Sequence, residues 1–549
     1  MMDGGEALVE TLAAWGVEAA FAVPGESYLP VLAALQRRAN GIRLITPRHE
    51  SGVTFACAAY GRIAGRAAVG LVSRGPGSTN ASIGLHVARQ DSVPMLLVIG
   101  DVPTASKGRE AFQEIDYHKM FSGIAKAVLE PETAADVPNK AARALELAMA
   151  GRPGPVVLVM PKDISDGDAG TPSVPQAVPR APLLPDAEDI AEAARLIDAA
   201  RRPVVIAGEL IAFEGAEASL SGFAAACGAA VTTAYRCQDA IANDDPAYIG
   251  HLEINRDDFQ ERGWEEADLV IAAGARLDGI TTRDFSMIRD DQTLIHIHPD
   301  AAVLERWPSG TAVRADAGPA LEALSAVVSN GSPDRLDWRA SLNRAYRDFS
   351  EPGGVPVHGR VDLAEITAET RRQLPSDAVV ITDSGTFARW VHRYFRFGDP
   401  RTQAGPMAGA MGYGVPGGIG AALARPRSPV VVFVGDGGFL MTGQEAVTLV
   451  QERLPVKIVV CDNNAWGSIL TSQQTRYGDA GIFGTRIESP DFEAVGRAYG
   501  LHASRVRETG EFAGAFAAAL AHPGPALIHL ELDERDISPF TGQSQSYRV

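Results

Sequence analysis

Glycine, acidic and amide residues follow two strongly apolar segments in the last third of the chain. Residues 432–434 (Val-Phe-Val) run directly into residues 435–438 (Gly-Asp-Gly-Gly). This order predicts a buried strand, a glycine-rich turn and a helix, whose first backbone N–H groups suit a phosphate. A second apolar segment, residues 457–461, ends in residues 462–464 (Asp-Asn-Asn). Two adjacent parallel strands would bring Asp436 and the Asn pair to one sheet edge, where their oxygens suit Mg²⁺ held partly by phosphates.

The spacing of these residues resembles the thiamine-diphosphate-binding signature. Residues 435–437 (Gly-Asp-Gly) are followed by the 25 residues 438–462 and then by the Asn pair. The resemblance implies that Mg²⁺ or Ca²⁺ is bound by Asp436, by the side-chain oxygen of Asn464 and by the backbone carbonyl of Trp466. The metal would hold the diphosphate of the cofactor. For Asn463, the alternative to a place in this signature is a role in forming the turn after the strand.

An early glutamate supplies the second half of the resemblance. Enzymes similar to acetolactate synthase carry a glutamate after an early strand, followed by small residues that open a helix, and residues 44–52 read Leu-Ile-Thr-Pro-Arg-His-Glu-Ser-Gly. A carboxylate held against ring N1′ of the aminopyrimidine favours the imino tautomer that removes the proton from thiazolium C2. We therefore expect Glu50 to be catalytic and to bind the cofactor. Complementation of a helix dipole is the alternative role for a glutamate at this position.

Further segments resemble those of the same family, the large, catalytic subunit type. Residues 75–80 resemble a GPGATN turn, residues 111–114 (Ala-Phe-Gln-Glu) resemble an AFQE segment near the substrate, and residues 409–414 resemble a GTMGYG segment. In the last of these, Met411 would support the bent cofactor, and the Gly409 carbonyl would accept a hydrogen bond from its amino group. The resemblance implies these cofactor-binding residues: Glu50, Pro24, Gly25, Thr79, Asn80, Gly385, Thr386, Phe387, Gly409, Met411, Gly435, Asp436, Gly437, Gly438, Asn464 and Trp466. It implies these substrate-binding residues: Gly25, Phe112 and Gln113.

The elements that must position these residues alternate along the chain. Fifty-six glycines and 35 prolines fall between apolar, strand-like segments and Ala-rich, helix-like ones, which is typical of an α/β protein. Segments rich in Pro and Gly at 166–186 and around 330–357 predict linkers, the second of them bracketing a helix-like segment. We predict three doubly wound parallel-sheet domains: an N-terminal pyrimidine-binding domain (1–165), a central α/β domain (186–330) and a C-terminal diphosphate-binding domain (357–549).

Composition and charge limit the kinds of partner and the cellular location that we expect for the protein. The formal net charge of −18 disfavours nucleic acid. The longest apolar segments, such as residues 93–99, are far shorter than the roughly 20 residues of a membrane helix. Four cysteines form no CxxC pair, and the N-terminus lacks a basic region, so we expect a cytoplasmic protein with reduced thiols.

The expected reaction is thiamine-diphosphate-dependent decarboxylation of a 2-oxo acid, with carboligation of the resulting enamine to an acceptor carbonyl. The resemblance implies that the protein forms at least a homodimer, and that the complete assembly is a homotetramer. The alternatives are a simple 2-oxo acid decarboxylase, a C–C lyase, a flavin-using oxidase and a non-catalytic cofactor-binding homologue. An NAD-dependent dehydrogenase would need a GxGxxG turn, which residues 414–420 lack.

The resemblance is weaker in the central region and near the substrate. Flavin-binding relatives carry extra glycines after the first central strand, where this chain has Glu209. Residues 251–253 (His-Leu-Glu) also differ from the Gly/His-containing turn of the flavin enzymes in this region. Arg276 suits either an FAD contact or a structural ion pair, so FAD stays open. Asp101 stands where relatives commonly have Gln, which leaves the second substrate and the product open.

Overall fold

The computed structural model of the chain describes residues 2–37, 41–253, 259–308 and 310–540. Within these residues the strands form three six-stranded sheets, all of whose pairings are parallel, and one two-stranded antiparallel sheet. Helices connect the strands of each parallel sheet. The predicted α/β fold with three doubly wound parallel sheets is therefore confirmed.

The N-terminal sheet has the strand order β3-β2-β4-β5-β7-β6, and β1 pairs with β8. The order reverses between β2 and β4, so a crevice opens at the carboxyl ends of these two strands. The strands are β1 (Met2–Asp3), β2 (Ala19–Ala22), β3 (Arg43–Ile45), β4 (Ala68–Ser73), β5 (Met95–Asp101), β6 (Ala127–Leu129), β7 (Pro155–Pro161) and β8 (Asp168–Gly170). The helices are α1 (Gly4–Ala14), α2 (Leu29–Arg37), α3 (Glu50–Ala64), α4 (Arg74–Gln90), α5 (Tyr117–Phe121), α6 (Val137–Met149) and α7 (Lys162–Ser165).

The central sheet has the order β11-β10-β9-β12-β13-β14, and it reverses between β9 and β12. The strands are β9 (Pro203–Ala207), β10 (Ala230–Thr233), β11 (Tyr248–His251), β12 (Leu269–Ala273), β13 (Thr293–Ile297) and β14 (Thr311–Val313). The helices are α8 (Ala187–Ala199), α9 (Glu209–Glu214), α10 (Glu217–Cys227), α11 (Phe259–Glu266), α12 (Ala301–Leu304), α13 (Ala317–Ser325) and α14 (Pro333–Phe349).

Helix α14 lies in the segment that the sequence marks as the second linker. Ser332 caps its first turn by accepting a hydrogen bond from the Arg335 backbone N–H, and Pro333 occupies its first position, where a missing N–H costs nothing. Tyr346 is buried in the hydrophobic core of the central sheet. The Arg335 guanidinium donates to the carbonyl of Cys227, at the end of α10, at 3.1 Å. The structure thus packs α14 on the central sheet, although it follows the predicted boundary at residue 330.

The C-terminal sheet has the order β16-β15-β17-β18-β20-β19, with its reversal between β15 and β17. Counted along each sheet, this is the same order as in the N-terminal sheet. The strands are β15 (Val379–Thr382), β16 (Gln403–Ala404), β17 (Val430–Gly435), β18 (Lys457–Asp462), β19 (His502–Val506) and β20 (Ala526–Glu531). The helices are α15 (Leu363–Gln373), α16 (Phe387–Tyr394), α17 (Gly414–Ala424), α18 (Asp436–Thr442), α19 (Ala446–Gln451), α20 (Gly467–Tyr477), α21 (Phe492–Ala498) and α22 (Phe512–Ala521).

The chain divides into two compact units. The first consists of Met1–Ala181, Gly405–Arg427 and Leu440–Val456, and the second of Pro182–Ala404, Ser428–Phe439 and Lys457–Val549. In the first unit, α17 packs closely against α3, because Gly420 lets the backbone of α17 approach that of Ala56. In the second unit, the inner strands of the central and C-terminal sheets are buried along almost their whole length, whereas the edge strands β14 and β19 are partly exposed. Continuous apolar strands of this kind are typical of parallel sheets covered on both faces.

Candidate active site

Glu50 is the first residue of α3 in the first unit. Its N-cap, His49, has an extended backbone, and the His49 ring accepts a hydrogen bond from the Ser51 N–H. The Asn80 side-chain amide donates to Glu50 Oε2 at 2.9 Å. Gly77 lies next to the carboxylate, since a Cβ there would be in ordinary contact with Glu50 Oε1 at 3.4 Å. The structure therefore brings together two of the predicted residues, Glu50 and Asn80.

The turns around Glu50 come from the reversal point of the N-terminal sheet. Gly25 follows β2, and a Cβ at this position would lie 2.5 Å from Ser73 Cβ at the end of β4, so only glycine permits this approach. Pro24, which precedes it, is exposed. Thr79 bonds back to the Gly75 carbonyl at 2.7 Å within α4.

Two of the predicted substrate residues, Phe112 and Gln113, lie beside the start of α4. The Gly75 N–H donates to the Gln113 carbonyl at 2.8 Å, and Gln113 has a positive φ of 67°. Phe112 is 77% exposed, which is unusual for a large apolar side chain. The backbone of the 111–114 segment is thus held against the first turn of α4, while the Phe112 ring extends into solvent.

Gly409 and Met411 lie in the Gly405–Arg427 part of the same unit. Gly409 has a φ of 70°, which glycine adopts without strain, and its N–H donates to the Pro406 carbonyl at 3.0 Å. Asp91 anchors this segment, since its carboxylate accepts the Met407 N–H at 3.0 Å. Met411 is half-buried.

In the second unit, three carboxylates follow neighbouring parallel strands. Asp383 comes directly after β15, Asp436 after β17, and Asp462 ends β18. Burial and the neighbouring Asp462 raise the pKa of Asp436 to about 6. Burial also raises the pKa of Asp462, but hydrogen bonds, first of all the one from His529 Nε2 at 2.9 Å, lower it overall. The pair therefore concentrates negative charge at this edge of the sheet.

The predicted glycines allow close packing around these carboxylates. A Cβ at Gly437 would overlap the Trp466 ring, and one at Gly438 would lie 3.1 Å from a carboxylate oxygen of Asp383. Side chains at Gly385 and Gly435 would both press on the Phe387 ring. A Cβ at Gly467 would lie 3.1 Å from Thr386 Oγ1. The structure thus brings this whole group together: Gly385, Thr386, Phe387, Gly435, Asp436, Gly437, Gly438 and Trp466.

Asn464 joins the same edge through Ser489. Its backbone has a φ of 54°, and its side-chain oxygen accepts the Ser489 N–H at 3.0 Å. The Ser489 hydroxyl in turn donates to Asp436 Oδ2 at 3.4 Å. The Trp466 carbonyl accepts hydrogen bonds from Ile469 and Leu470 in the first turn of α20. This carbonyl, the third predicted metal ligand, is therefore already engaged within the protein.

The donor set at this edge fits a divalent cation with a diphosphate. Carboxylate and amide oxygens are the ligands that Mg²⁺ and Ca²⁺ prefer. Helices α16, α18 and α20 all begin beside them, and helix N-termini present free N–H groups and positive dipole ends to an anion.

Comparison with known proteins identifies the family. Three models of the thiamine pyrophosphate enzyme match: the N-terminal TPP binding domain over residues 2–120, the central domain over 190–324 and the C-terminal TPP binding domain over 383–530. The chain is 31% identical to a probable acetolactate synthase large subunit of Methanocaldococcus jannaschii, over 98% of this chain and 93% of that protein. It is 29% identical to acetolactate synthase isozyme 2 large subunit of Escherichia coli (97% and 96%) and 32% to acetolactate synthase 2, chloroplastic, of Zea mays (96% and 85%).

The chain belongs to the thiamine pyrophosphate enzyme family. The resemblance to acetolactate-synthase-like enzymes is thereby confirmed. The protein is an enzyme of the acetolactate-synthase type, which catalyses decarboxylation and carboligation with thiamine diphosphate. Among the described residues, no helix combines the length and the apolar character needed to cross a membrane.

The central sheet of this thiamine pyrophosphate enzyme does not fit the phosphates of FAD at its reversal point. Glu209 is buried where α9 begins, and its carboxylate lies 3.4 Å from Arg276 Nε. Arg276 also binds Asp278 at 3.0 Å, so it forms the structural ion pair that the sequence offers as one alternative. Gly208 packs directly on the backbone of Ala275. A dinucleotide phosphate at this turn would meet a buried carboxylate instead of free N–H groups.

A buried cluster in the second unit escapes sequence reasoning. His392 Nδ1 lies 2.7 Å from Glu253 Oε2, and His251 Nε2 lies 3.9 Å from the same atom. Among the described residues, this is the group of His and acidic side chains whose geometry could hold a metal ion. However, the guanidinium groups of Arg236 and Arg389 also act on His392, and their positive charge opposes a buried cation. We interpret the cluster as a buried hydrogen bond between His392 and Glu253, which connects the two sheets of this unit.

Sequence reasoning also misses Glu445, which is completely buried beside Glu50. Its Oε1 accepts the backbone N–H groups of Arg48 at 2.8 Å and His49 at 3.0 Å, and its Oε2 accepts the Thr448 hydroxyl at 2.8 Å. Burial raises the Glu445 pKa. The one available signal was an acidic residue, at the start of an apolar helical segment, that carries no motif of its own.

Proposed function

We propose that the protein decarboxylates a 2-oxo acid and joins the remaining fragment to an acceptor carbonyl, with Glu50 as its catalytic residue. The observation that carries this proposal is the position of Glu50 at the start of α3, with one oxygen fixed by Asn80 at 2.9 Å. A carboxylate fixed in this way can hold a proton against a ring nitrogen without first reorganising. Thiamine diphosphate, when bound, supplies the electron sink for breaking and forming the carbon–carbon bonds.

Asp436, Asn464 and Trp466 are proposed to hold Mg²⁺ or Ca²⁺. Two observations support a cation here: the proximity of Asp436 to Asp462, and the link from Asp436 through Ser489 to the Asn464 oxygen. A divalent cation would neutralise the paired carboxylates and accept diphosphate oxygens at the same time. The N-termini of α16 and α18 would donate to the remaining phosphate oxygens.

The remaining predicted residues complete the proposal. Pro24, Gly25, Thr79, Gly409 and Met411 are proposed to contact the pyrimidine side of the cofactor. Phe112 and Gln113 are proposed to approach the substrate, for which the exposed Phe112 ring is the support.

We also propose that the protein assembles as a homodimer or homotetramer. Ile469, Tyr477 and Phe483 are 53%, 63% and 87% exposed on α20 and the turn that follows it, and a second copy would shield such apolar side chains from water. The mass of the purified protein in solution, measured by light scattering, tests this part.

Glu50→Gln tests the catalytic assignment. The amide preserves the shape of the side chain but cannot carry the proton, so we expect kcat to fall by about 10²–10⁴-fold. Thiamine diphosphate affinity, measured by quenching of tryptophan fluorescence, should change little. Glu18→Gln is the matched control, because Glu18 is an exposed acid paired with Arg66.

The same assay separates the proposed reaction from its alternatives. Purified protein with thiamine diphosphate and Mg²⁺ is supplied with 2-oxo acids singly and in pairs, and CO₂ and joined products are measured. Joined products support the proposal. CO₂ without a joined product would indicate a simple decarboxylase, and an active Glu50→Gln variant would refute the assignment of Glu50.

A further inference from the structure

The turn that delivers Glu50 is fastened to a buried carboxylate from a distant part of the same unit. Arg48 and His49 are the last residues before α3, and their backbone N–H groups both point at Glu445 Oε1. Glu445 lies between α18 and α19, in a 3-10 turn that is 396 residues from His49 along the chain. The contact therefore makes the position of Glu50 depend on an element that is distant along the chain.

We propose that Glu445 is a positioning residue for Glu50: it fixes the turn before α3 and so sets where the Glu50 carboxylate lies. This inference rests on the proposed function of Glu50. Glu445 has no need to contact substrate or cofactor for this role, since it acts through the backbone of residues 48 and 49.

The hydrogen-bond pattern supports a fixed geometry. A carboxylate oxygen that accepts two backbone N–H groups holds both peptide planes in one orientation. The Thr448 hydroxyl occupies the other oxygen, and the Arg48 side chain donates to Thr448 Oγ1 at 3.1 Å and to Gln451 Oε1 at 2.7 Å. The turn is thus held from its backbone and from its side chain by the same helical segment.

Gly52 supplies an independent observation. A Cβ at position 52, in the first turn of α3, would lie 2.7 Å from Glu445 Oε1. That distance is shorter than any normal contact between carbon and oxygen, so the helix reaches the carboxylate only because residue 52 is glycine. The glycine and the glutamate therefore depend on each other, and both determine the position of Glu50, two residues earlier.

The first test measures the turn directly in the protein without cofactor. Hydrogen exchange followed by mass spectrometry reports the peptide that spans residues 46–54. We expect Glu445→Ala to accelerate exchange in this peptide by about tenfold or more, because two amides lose their acceptor. Glu445→Gln keeps an oxygen for both amides and can donate to the Thr448 hydroxyl, so it should restore protection.

Kinetics supply the second readout. Misplacement of a catalytic group by about 1 Å costs about 10²-fold. We therefore expect kcat of Glu445→Ala to fall by about 10–100-fold, with KM for the 2-oxo acid within about threefold of wild type. Glu445→Gln should lie within about threefold of wild type in both constants. Glu452→Ala is the matched control, since Glu452 pairs at the surface with Arg43.

A double variant keeps the proposal testable even if Glu445→Ala alone folds poorly. Gly52→Ala should reproduce the loss of protection and of kcat, because its methyl group displaces the carboxylate. In the Glu445→Ala background the same methyl group has space, so Gly52→Ala should there cost little. Additive effects of the two changes would overturn the proposal, as would unchanged exchange in residues 46–54 of Glu445→Ala. A fully active Glu50→Gln variant would instead refute the proposed function and leave the exchange result intact.

Discussion

Replacing Asp436 by Asn should stabilise the protein without cofactor while abolishing metal binding. Burial and Asp462 raise the pKa of Asp436 from 3.8 to about 6. The folded protein thus keeps this proton up to about pH 6, whereas the unfolded chain loses it near pH 4. The stability that this difference contributes is present at low pH and is lost as the pH rises through about 6.

The size of the effect follows from the shift. About two pH units at about 1.4 kcal/mol each give up to about 3 kcal/mol in the free energy of unfolding. Asn does not titrate, and its side-chain oxygen can still accept the Gly437 N–H, which Asp436 accepts at 2.8 Å. The stability of Asp436→Asn relative to wild type should therefore increase between pH 4 and pH 6 and then stay constant.

Thermal unfolding midpoints of both proteins, in the presence of a chelator and across pH 4–8, measure this difference. Asp533→Asn is the matched control. Hydrogen bonds from Arg535 lower the Asp533 pKa to about 2, so its replacement should give a difference that is flat above pH 4. Addition of Mg²⁺ and thiamine diphosphate should then raise the midpoint of wild type but not that of Asp436→Asn.

Two results would refute this reasoning. One is a stability difference between Asp436→Asn and wild type that is the same at pH 4.5 and at pH 7.5, because burial and Asp462 would then not raise the Asp436 pKa in the folded protein. The other is an equal gain of both proteins from Mg²⁺ and cofactor, because Asp436 would then not be a metal ligand.

Two further changes test the edge of the C-terminal sheet. Asn464→Ala should raise the Mg²⁺ concentration needed for half-maximal cofactor binding by about 10–100-fold, and Asn463→Ala by much less; the reverse order would reassign the ligand. Gly437→Ala should destabilise the protein by about 1–3 kcal/mol and weaken cofactor binding, since its methyl group overlaps the Trp466 ring. Gly514→Ala, where a Cβ meets open space in α22, is the control, and equal denaturation midpoints for the two glycine variants would contradict the predicted overlap.

The parts of the fold that depend on local pattern were predictable from the sequence. Continuous apolar segments such as residues 430–434 became buried parallel strands because both faces of a parallel sheet are covered. Strand order was not predictable in this way. The reversal between β15 and β17 depends on which strands pair across the crossovers, and the apolar pattern of each strand does not reveal that choice.

The candidate site divides along the same line. Glu50, Asp436 and the glycines belong to contiguous motifs, so they can be detected in the sequence from residue types and spacing. Glu445 and His529 lie 396 and 67 residues from the groups they hold. Each acts by accepting or donating a hydrogen bond that exists only after the chain has folded, which a reading along the sequence does not detect.

The arrangement of charge supports the proposed cation at the edge that carries Asp383, Asp436 and Asp462. A diphosphate placed near two carboxylates is repelled, by about 4 kcal/mol for each pair of unit charges about 4 Å apart at an effective dielectric constant of about 20. Helix N-termini at α16 and α18 offset only part of this, since each contributes about 1 kcal/mol. A divalent cation held by these carboxylates would reverse the sign of the interaction with the diphosphate. On this proposal Asp462, which together with burial raises the Asp436 pKa in the free protein, is also a group that would make cofactor binding depend on the metal.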